Sequence, residues 1–251
     1  MTQPVALITG ASAGLGEDFA RQLSATGARL VLVARRKERL DALADELGNA
    51  RAIAIDLSEA DATARLMADV ASHDEHVDLL VNNAGFGLVG KFAKLDGAKQ
   101  RQMVDLNCGL LTELAHAVLP GMIERNRGGI LNVASTAAFQ PGPYSAVYYA
   151  TKAYVLSFTE ALHEEVAGTD VRVSALCPGP TRTEFFEAAG YRGGGALEKF
   201  AMASAPVVAA GLAGLETNQA VVIPGAMNKV GAQGHRFLPR ALLRKVAKLV
   251  K

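Results

Sequence analysis

Tyr148 and Lys152 stand four residues apart in Tyr148-Tyr149-Ala150-Thr151-Lys152, and Ser135 precedes the tyrosine by thirteen positions. Four residues is about one helical turn, so phenol and ammonium share a face. Far upstream, Thr9-Gly10-Ala11-Ser12-Ala13-Gly14-Leu15-Gly16 follows the first apolar run. Glycines between a strand and a helix let backbone approach a pyrophosphate, whose charge meets the helix N-terminus. The Ser/Tyr/Lys set suits moving a proton while a bound dinucleotide moves a hydride. Tyr-x-x-x-Lys alone occurs by chance in many helices, so the signal is the order and spacing of all these pieces. Tyr144 and Tyr149 flank the tyrosine, but Tyr148 has the lysine four residues on.

The glycine spacing is G-x-x-x-G-x-G, with Phe19 in the place of the third glycine of the usual G-x-G-x-x-G fingerprint. After the second apolar run comes Ala34-Arg35-Arg36-Lys37. A carboxylate there would bind the ribose 2′-OH of NAD; cations suit a 2′-phosphate instead. Cations at a helix start oppose the macrodipole unless an anion binds among them. The expected cofactor is NADP(H), held partly by Arg35 and Arg36.

The elements that must position these residues alternate along the chain. Strands are expected at Val5–Thr9, Leu30–Ala34, Ala52–Ile55, Leu79–Asn82, Ile130–Ala134, Val171–Cys177 and Ala220–Ile223. Helical spacing runs near 15–26, 36–48, 59–73, 99–125, 146–168 and 197–216. Strands apolar on both faces, separated by helices, imply a doubly wound parallel sheet in one α/β domain over residues 1–251. The stretch 178–200 holds Pro178, Gly179, Pro180 and Gly193-Gly194-Gly195 and reads as a substrate-side loop.

Half of the 251 residues are apolar, a fifth are charged, and the net charge is +1. No basic excess exists to neutralise phosphates, so a nucleic-acid partner is not expected. Cys108 and Cys177 match no metal spacing and read as small buried hydrophobes. The five histidines form no metal cluster, and the lone His163 reads as solvated or satisfied. No secretory signal and no apolar run of membrane-spanning length are evident, which points to the cytoplasm.

With these residues in view, the chain resembles the short-chain dehydrogenase/reductase family over nearly its whole length. The resemblance rests on Gly10, Gly14, Gly16, Asp56, Asn82-Asn83-Ala84-Gly85, Asn107, Ser135, Tyr148, Lys152 and Pro178-Gly179-Pro180-Thr181-Arg182-Thr183. It implies a seven-stranded Rossmann-type sheet and interconversion of a carbonyl and an alcohol. It implies Tyr148 as acid in reduction and base in oxidation. Lys152 would favour the tyrosinate and hold the nicotinamide ribose. Ser135 would bond the substrate oxygen, and Asn107 would support a water-mediated proton path to Lys152. The cofactor would also meet Ser12, Ala13, Leu15 and Leu57, with Asp56 facing the adenine amine. Asn83, Ala84 and Gly85 would form a cofactor-side turn. Pro178 and Gly179, with Thr181 or Thr183, would bond the nicotinamide carboxamide.

Phe86, Thr136, Phe139, Tyr144, Phe185, Phe186 and Tyr191 fall near the carboxyl ends of the strands, where a substrate would sit. Mostly apolar, they fit a hydrophobic ketone, aldehyde or alcohol; each phenylalanine could equally be core. The tail, 234–251, alternates Arg/Lys with Leu/Val. It reads as a helix whose stripe of Leu242, Val246, Leu249 and Val250 docks on the domain, a second subunit or a membrane surface. A homo-oligomer, dimer or tetramer, is expected. A non-catalytic NADP(H)-binding regulatory module, and epimerase or dehydratase chemistry on the same scaffold, are the alternative functions.

Overall fold

Apolar runs buried on both faces become the strands, as β1 (Val5–Thr9), with all five residues buried, illustrates. The computed structural model describes residues 3–191, 200–234 and 239–249. Among them, β1 is joined by β2 (Arg29–Ala34), β3 (Ala50–Ala54), β4 (Leu79–Asn82), β5 (Gly128–Val133), β6 (Val171–Leu176) and β7 (Val221–Val222). All pair in parallel, in the order β3-β2-β1-β4-β5-β6-β7. The order reverses between β1 and β4, and the crevice at the carboxyl ends there is the topological switch point.

Alternate residues of β1 feed two cores. Val5 and Leu7 pack with Val31, Leu66, Leu114 and Ile130 on one face, beneath α3 (Ala62–Ser72) and α5 (Leu111–Glu124). Ala6 and Ile8 pack on the other face with Phe19, Leu32 and Leu40. These meet α1 (Gly14–Ala25), α2 (Lys37–Leu47) and α8 (Ser204–Glu216). Phe19 is fully buried. It fills the sheet–helix gap that a third glycine would close by bringing the helix nearer.

Between β4 and β5 the chain is helical from Gly97 to Glu124, but not in one form. α4 (Gly97–Val104), capped by Asp96 through the Ala98 and Lys99 amides, leads into a π-turn at Asp105–Leu110 and then α5. Against the expectation that no apolar run would span a membrane, this 28-residue helix is long and apolar enough to do so. Its buried side, with Leu111, Leu114, Val118 and Met122, packs on the sheet core. Helix α6 (Ala146–Glu165) is fastened to the sheet by a buried polar ladder. Asn82 Nδ2 donates to Asn132 Oδ1 (2.9 Å) and Asn132 Nδ2 donates to Thr159 Oγ1 (3.0 Å).

Three expectations about helices shift. The helix expected from 59 begins at Ala62, after a turn made by Asp56 and Ser58. The one expected from 197 begins at Ser204, where Pro206 sits in the first turn and lacks only an amide that has no helical partner; residues 197–199 lie outside the described residues. In the tail, α10 (Arg240–Leu249) buries Leu243 and Ala247, while Leu242, placed on the docking stripe, is 46% exposed. Side chains of Val246, Leu249 and Val250 lie outside the described residues. Two short helices, α7 (Phe185–Ala188) and α9 (Ala226–Gly234), complete the carboxyl-end face, α9 packing on a 3-10 turn at Thr136–Phe139.

Candidate active site

The turn after β1 uses its glycines for conformation and for room. Gly10 (φ +68°) and Gly14 (φ +57°) are left-handed. A Cβ on Gly16 would lie 2.2 Å from the Gly10 carbonyl oxygen. Asn83 fixes this turn to the end of β4, donating Nδ2 to the Thr9 carbonyl (2.9 Å) and the Gly10 carbonyl (3.3 Å). Thr9 Oγ1 accepts from the amides of Asn83 (3.0 Å) and Ala84 (2.9 Å). Ala13, the residue before α1, is extended and offers no side-chain cap to the helix, so its first amides face the turn where a pyrophosphate fits.

The two arginines after β2 part company. Arg36 bends over the turn, Nε on Ser12 Oγ and Nη2 on the Ser12 carbonyl, both at 3.1 Å. Arg35 is exposed and acts electrostatically on Asp56. The Asp56 carboxylate accepts from the Ser58 amide (3.0 Å) and hydroxyl (2.7 Å), which hold it below the usual carboxylate range. Leu57 puts its side chain into the core, so its backbone is what faces the β3 end.

Ser135, just past the end of β5, accepts from the Ala137 amide (3.1 Å) and donates to the Pro178 carbonyl (3.4 Å), beside Tyr148. Burial pushes the Tyr148 hydroxyl up to about 12, with the Ser135 hydrogen bond opposing it. Lys152 is 6% exposed; its Nζ donates to the Val133 carbonyl (2.7 Å) and lies 5.8 Å from the Tyr148 ring centre. Burial brings Lys152 down to about 8. Asn107, in the π-turn, clamps the Phe86 backbone: Oδ1 accepts from its amide (3.1 Å) and Nδ2 donates to its carbonyl (3.0 Å). Nδ2 also reaches Thr151 Oγ1 (3.1 Å). A Cβ on Gly85 would come within 2.8 Å of Asn107 Oδ1 and 3.8 Å of Lys152 Nζ, so both groups border one small space.

An aromatic chain covers the tyrosine. Phe185 lies 5.4 Å from the Tyr148 ring, Phe186 6.0 Å from Phe185, and Tyr191 5.8 Å from Phe186. Gly87 keeps the approach open, since a Cβ there would meet Phe185 Cζ at 3.0 Å and Tyr148 Cδ2 at 3.2 Å. Beside Tyr148, a narrow cleft is lined by Leu88, Leu95, Met103, Tyr144 and Val147 together with polar Gln100 and Ser145. Tyr144 has φ +65° and stands at its rim, with its carbonyl accepting from Gly90 (2.7 Å). Phe139 instead leans on the core, and Thr136 is tied by its amide to the Pro178 carbonyl (2.8 Å). Thr181 is buried with its hydroxyl on the Gly179 carbonyl (3.0 Å); Thr183 rises against Gly14, whose Cβ would meet it at 3.0 Å. A Cβ on Gly179 would strike the Asn228 side chain at 2.2 Å, so α9 backs this segment. Sequence reasoning missed Gly87, Leu88, Leu95 and Met103, as well as Arg39 and Glu184, described below. Arg39 sits one turn after Arg36 and was within reach of helical spacing; Glu184 carried no local signal.

A parallel sheet with a glycine turn at its switch point defines a Rossmann-type dinucleotide-binding fold. The family model described as short chain dehydrogenase matches residues 4–191, and the chain belongs to the short-chain dehydrogenase/reductase family. It is 40% identical over 177 residues to the NADP-dependent 3-hydroxy acid dehydrogenase YdfG of Escherichia coli K12, covering 70% of this chain and 71% of that protein. A short-chain dehydrogenase from Sphingobium yanoikuyae, solved in complex with NADPH, is 31% identical with a TM-score of 0.84, covering 96% of this chain and 95% of that one. A bulky-bulky ketone-specific alcohol dehydrogenase from Comamonas testosteroni is 30% identical with a TM-score of 0.80, covering 94% and 93%. These comparisons bear out the expected family, fold and oxidoreductase class.

Proposed function

We propose that the chain is an NADP(H)-dependent oxidoreductase that interconverts a hydrophobic ketone or aldehyde and its alcohol. The observation that carries this is Tyr148 beside Ser135 and buried Lys152, with Phe185 against its ring and a cleft lined in part by Leu88, Leu95, Met103 and Val147 opening next to it. Tyr148 gives its proton to the substrate oxygen in reduction and takes it back in oxidation. Ser135 donates to the same oxygen as charge develops there. Lys152, one helical turn on from Tyr148, supplies the cation that favours the phenolate, and Asn107 shapes the space through which Lys152 exchanges protons with water. NADP(H), when bound, accepts or supplies the hydride.

The cofactor fits residues already in place. The turn of Gly10, Ser12, Ala13, Gly14, Leu15 and Gly16 takes the pyrophosphate, and Arg36 with Ser12 takes the 2′-phosphate, with Arg35 adding charge. Asp56 and the Leu57 backbone meet the adenine; Asn83, Ala84 and Gly85 form the adjoining wall. Tyr148 and Lys152 hold the ribose, and Pro178, Gly179 and Thr183 the carboxamide. Thr183 takes this role because the Thr181 hydroxyl is already spent on Gly179. An NADP-dependent relative and an NADPH-bound neighbour support the cofactor. One domain over residues 1–251, acting in the cytoplasm as a homo-oligomer, completes the reading.

A panel of neutral ketones, keto esters and 3-hydroxy acids, scored by NADPH absorbance, tests the substrate class. Neutral bulky ketones should turn over fastest. A strong preference for 3-hydroxy acids, as the name of the Escherichia coli relative suggests, would remove the apolar reading. Product formation without net NADPH consumption would point to epimerase or dehydratase chemistry. No turnover alongside NADPH binding would point to a regulatory module.

A further inference from the structure

Glu184 precedes Phe185 and its carboxylate spans two arginines. Oε2 accepts from Arg36 Nη1 (2.9 Å) and Oε1 from Arg39 Nη1 (2.7 Å). Hydrogen bonds from Arg39 and then Arg36 hold this carboxyl below its usual range. All three side chains are solvent-exposed. The next residue, Phe185, covers the Tyr148 ring, and Thr183 lies on Gly14. One short segment therefore ties the arginines after β2 to the tyrosine.

We propose that Glu184 is a specificity-determining residue: its carboxylate competes with the cofactor 2′-phosphate for Arg36, so that NADP(H), unlike NAD(H), releases the Glu184–Phe185 segment while Thr183 stays with the carboxamide. The inference rests on Arg36 being the 2′-phosphate cation. The Arg36 guanidinium already spends Nε and Nη2 on Ser12, which leaves the side now held by Glu184 for a second anion. Carboxylate and phosphate on one guanidinium repel each other, and a dianion facing two arginines prevails over a single exposed carboxylate. Without the phosphate, the carboxylate neutralises the pair and keeps Phe185 against Tyr148.

The test titrates NADPH and NADH, by nicotinamide fluorescence, into the full chain, Glu184→Gln and Arg36→Ala. Glu184→Gln is expected to tighten NADPH by about 3- to 10-fold and leave NADH unchanged, the size of two exposed ion pairs removed. The KM for a ketone should then shift in Glu184→Gln with NADH and not with NADPH, since NADPH has already released the segment. If Arg36→Ala loses NADPH preference but Glu184→Gln binds NADPH as before or more weakly, competition is overturned while the cofactor reading stands. If Arg36→Ala keeps its NADPH preference, the cofactor reading falls and takes the inference with it. A KM shift of the same size with both cofactors overturns the release step.

Discussion

Tyr148 and Lys152 are moved in opposite directions by one cause. Burial disfavours charge, so the phenol rises to about 12 while the ammonium falls to about 8. Tyr148 therefore keeps its proton throughout the neutral range, the form that reduction needs, while Lys152 keeps its cation only below about 8. Ketone reduction should hold level through neutral pH and fall as pH passes about 8, where the cation is lost. Alcohol oxidation needs the phenolate and should climb with pH across the same neutral range. Initial rates in both directions check this, and a reduction rate that rises with pH would contradict the assignment. Tyr148→Phe should lose at least ~10²-fold in both directions with little change in NADPH affinity. Tyr149→Phe serves as the control.

At the scale of elements, the site depends on how α6 is seated. The ladder Asn82–Asn132–Thr159 is buried, with Asn132 and Thr159 at zero exposure. Asn132→Ala leaves Asn82 Nδ2 with its contact to the Leu111 carbonyl and removes the donor to Thr159. It should cost about 1–3 kcal/mol in denaturant unfolding, and kcat should fall with it as α6 loosens under Tyr148. A stability loss with unchanged kcat would show that the ladder serves the fold alone. Strands were legible because buried parallel strands must be apolar throughout. The Ser/Tyr/Lys set was legible because helical spacing is local. The π-turn was not: Asn107 within it reaches across to the Phe86 backbone, a contact that sequence periodicity does not encode. Nor was the Glu184–Arg36 pair, whose partners lie 148 residues apart. Arg35 and Arg36 looked equivalent in sequence, and only the bend over Ser12 separates them. In the tail, spacing found a helix but set Leu242 inward, because it could not show that Leu243 and Ala247 meet the domain.

Across the described residues, the proposed chemistry and the anchoring occupy opposite ends of the sheet. The carboxyl ends carry the glycine turn, Ser135 and Tyr148. The amino-end side carries charged groups that pin strand starts: buried Glu75 pairs with Arg51 (2.8 Å) and with Arg29, and Asp78 joins β1, β4 and β5. Asp78 Oδ2 accepts from the Val5 amide (2.9 Å), and Oδ1 accepts from Arg127 (2.7 Å) with His76 at 3.3 Å. Burial works to raise this carboxyl, but Arg127 and the Val5 amide outweigh it and hold it below its ordinary value. A depressed carboxyl adds stability that is fully present above the unfolded value of about 3.9 and is lost as pH falls toward the lower folded value. Asp78→Asn should therefore lower the Tm at pH 7 and flatten the loss of stability that the natural chain shows on acidification below about pH 4. Thermal melts of both chains from neutral to acid pH measure it. Because Asp78 lies at the other end of β4 from Asn83, NADPH affinity at neutral pH should not change. A variant that keeps its full acid slope would show that Asp78 is not the group whose protonation loosens the sheet; a variant that loses NADPH binding while staying folded would show that the two ends are coupled.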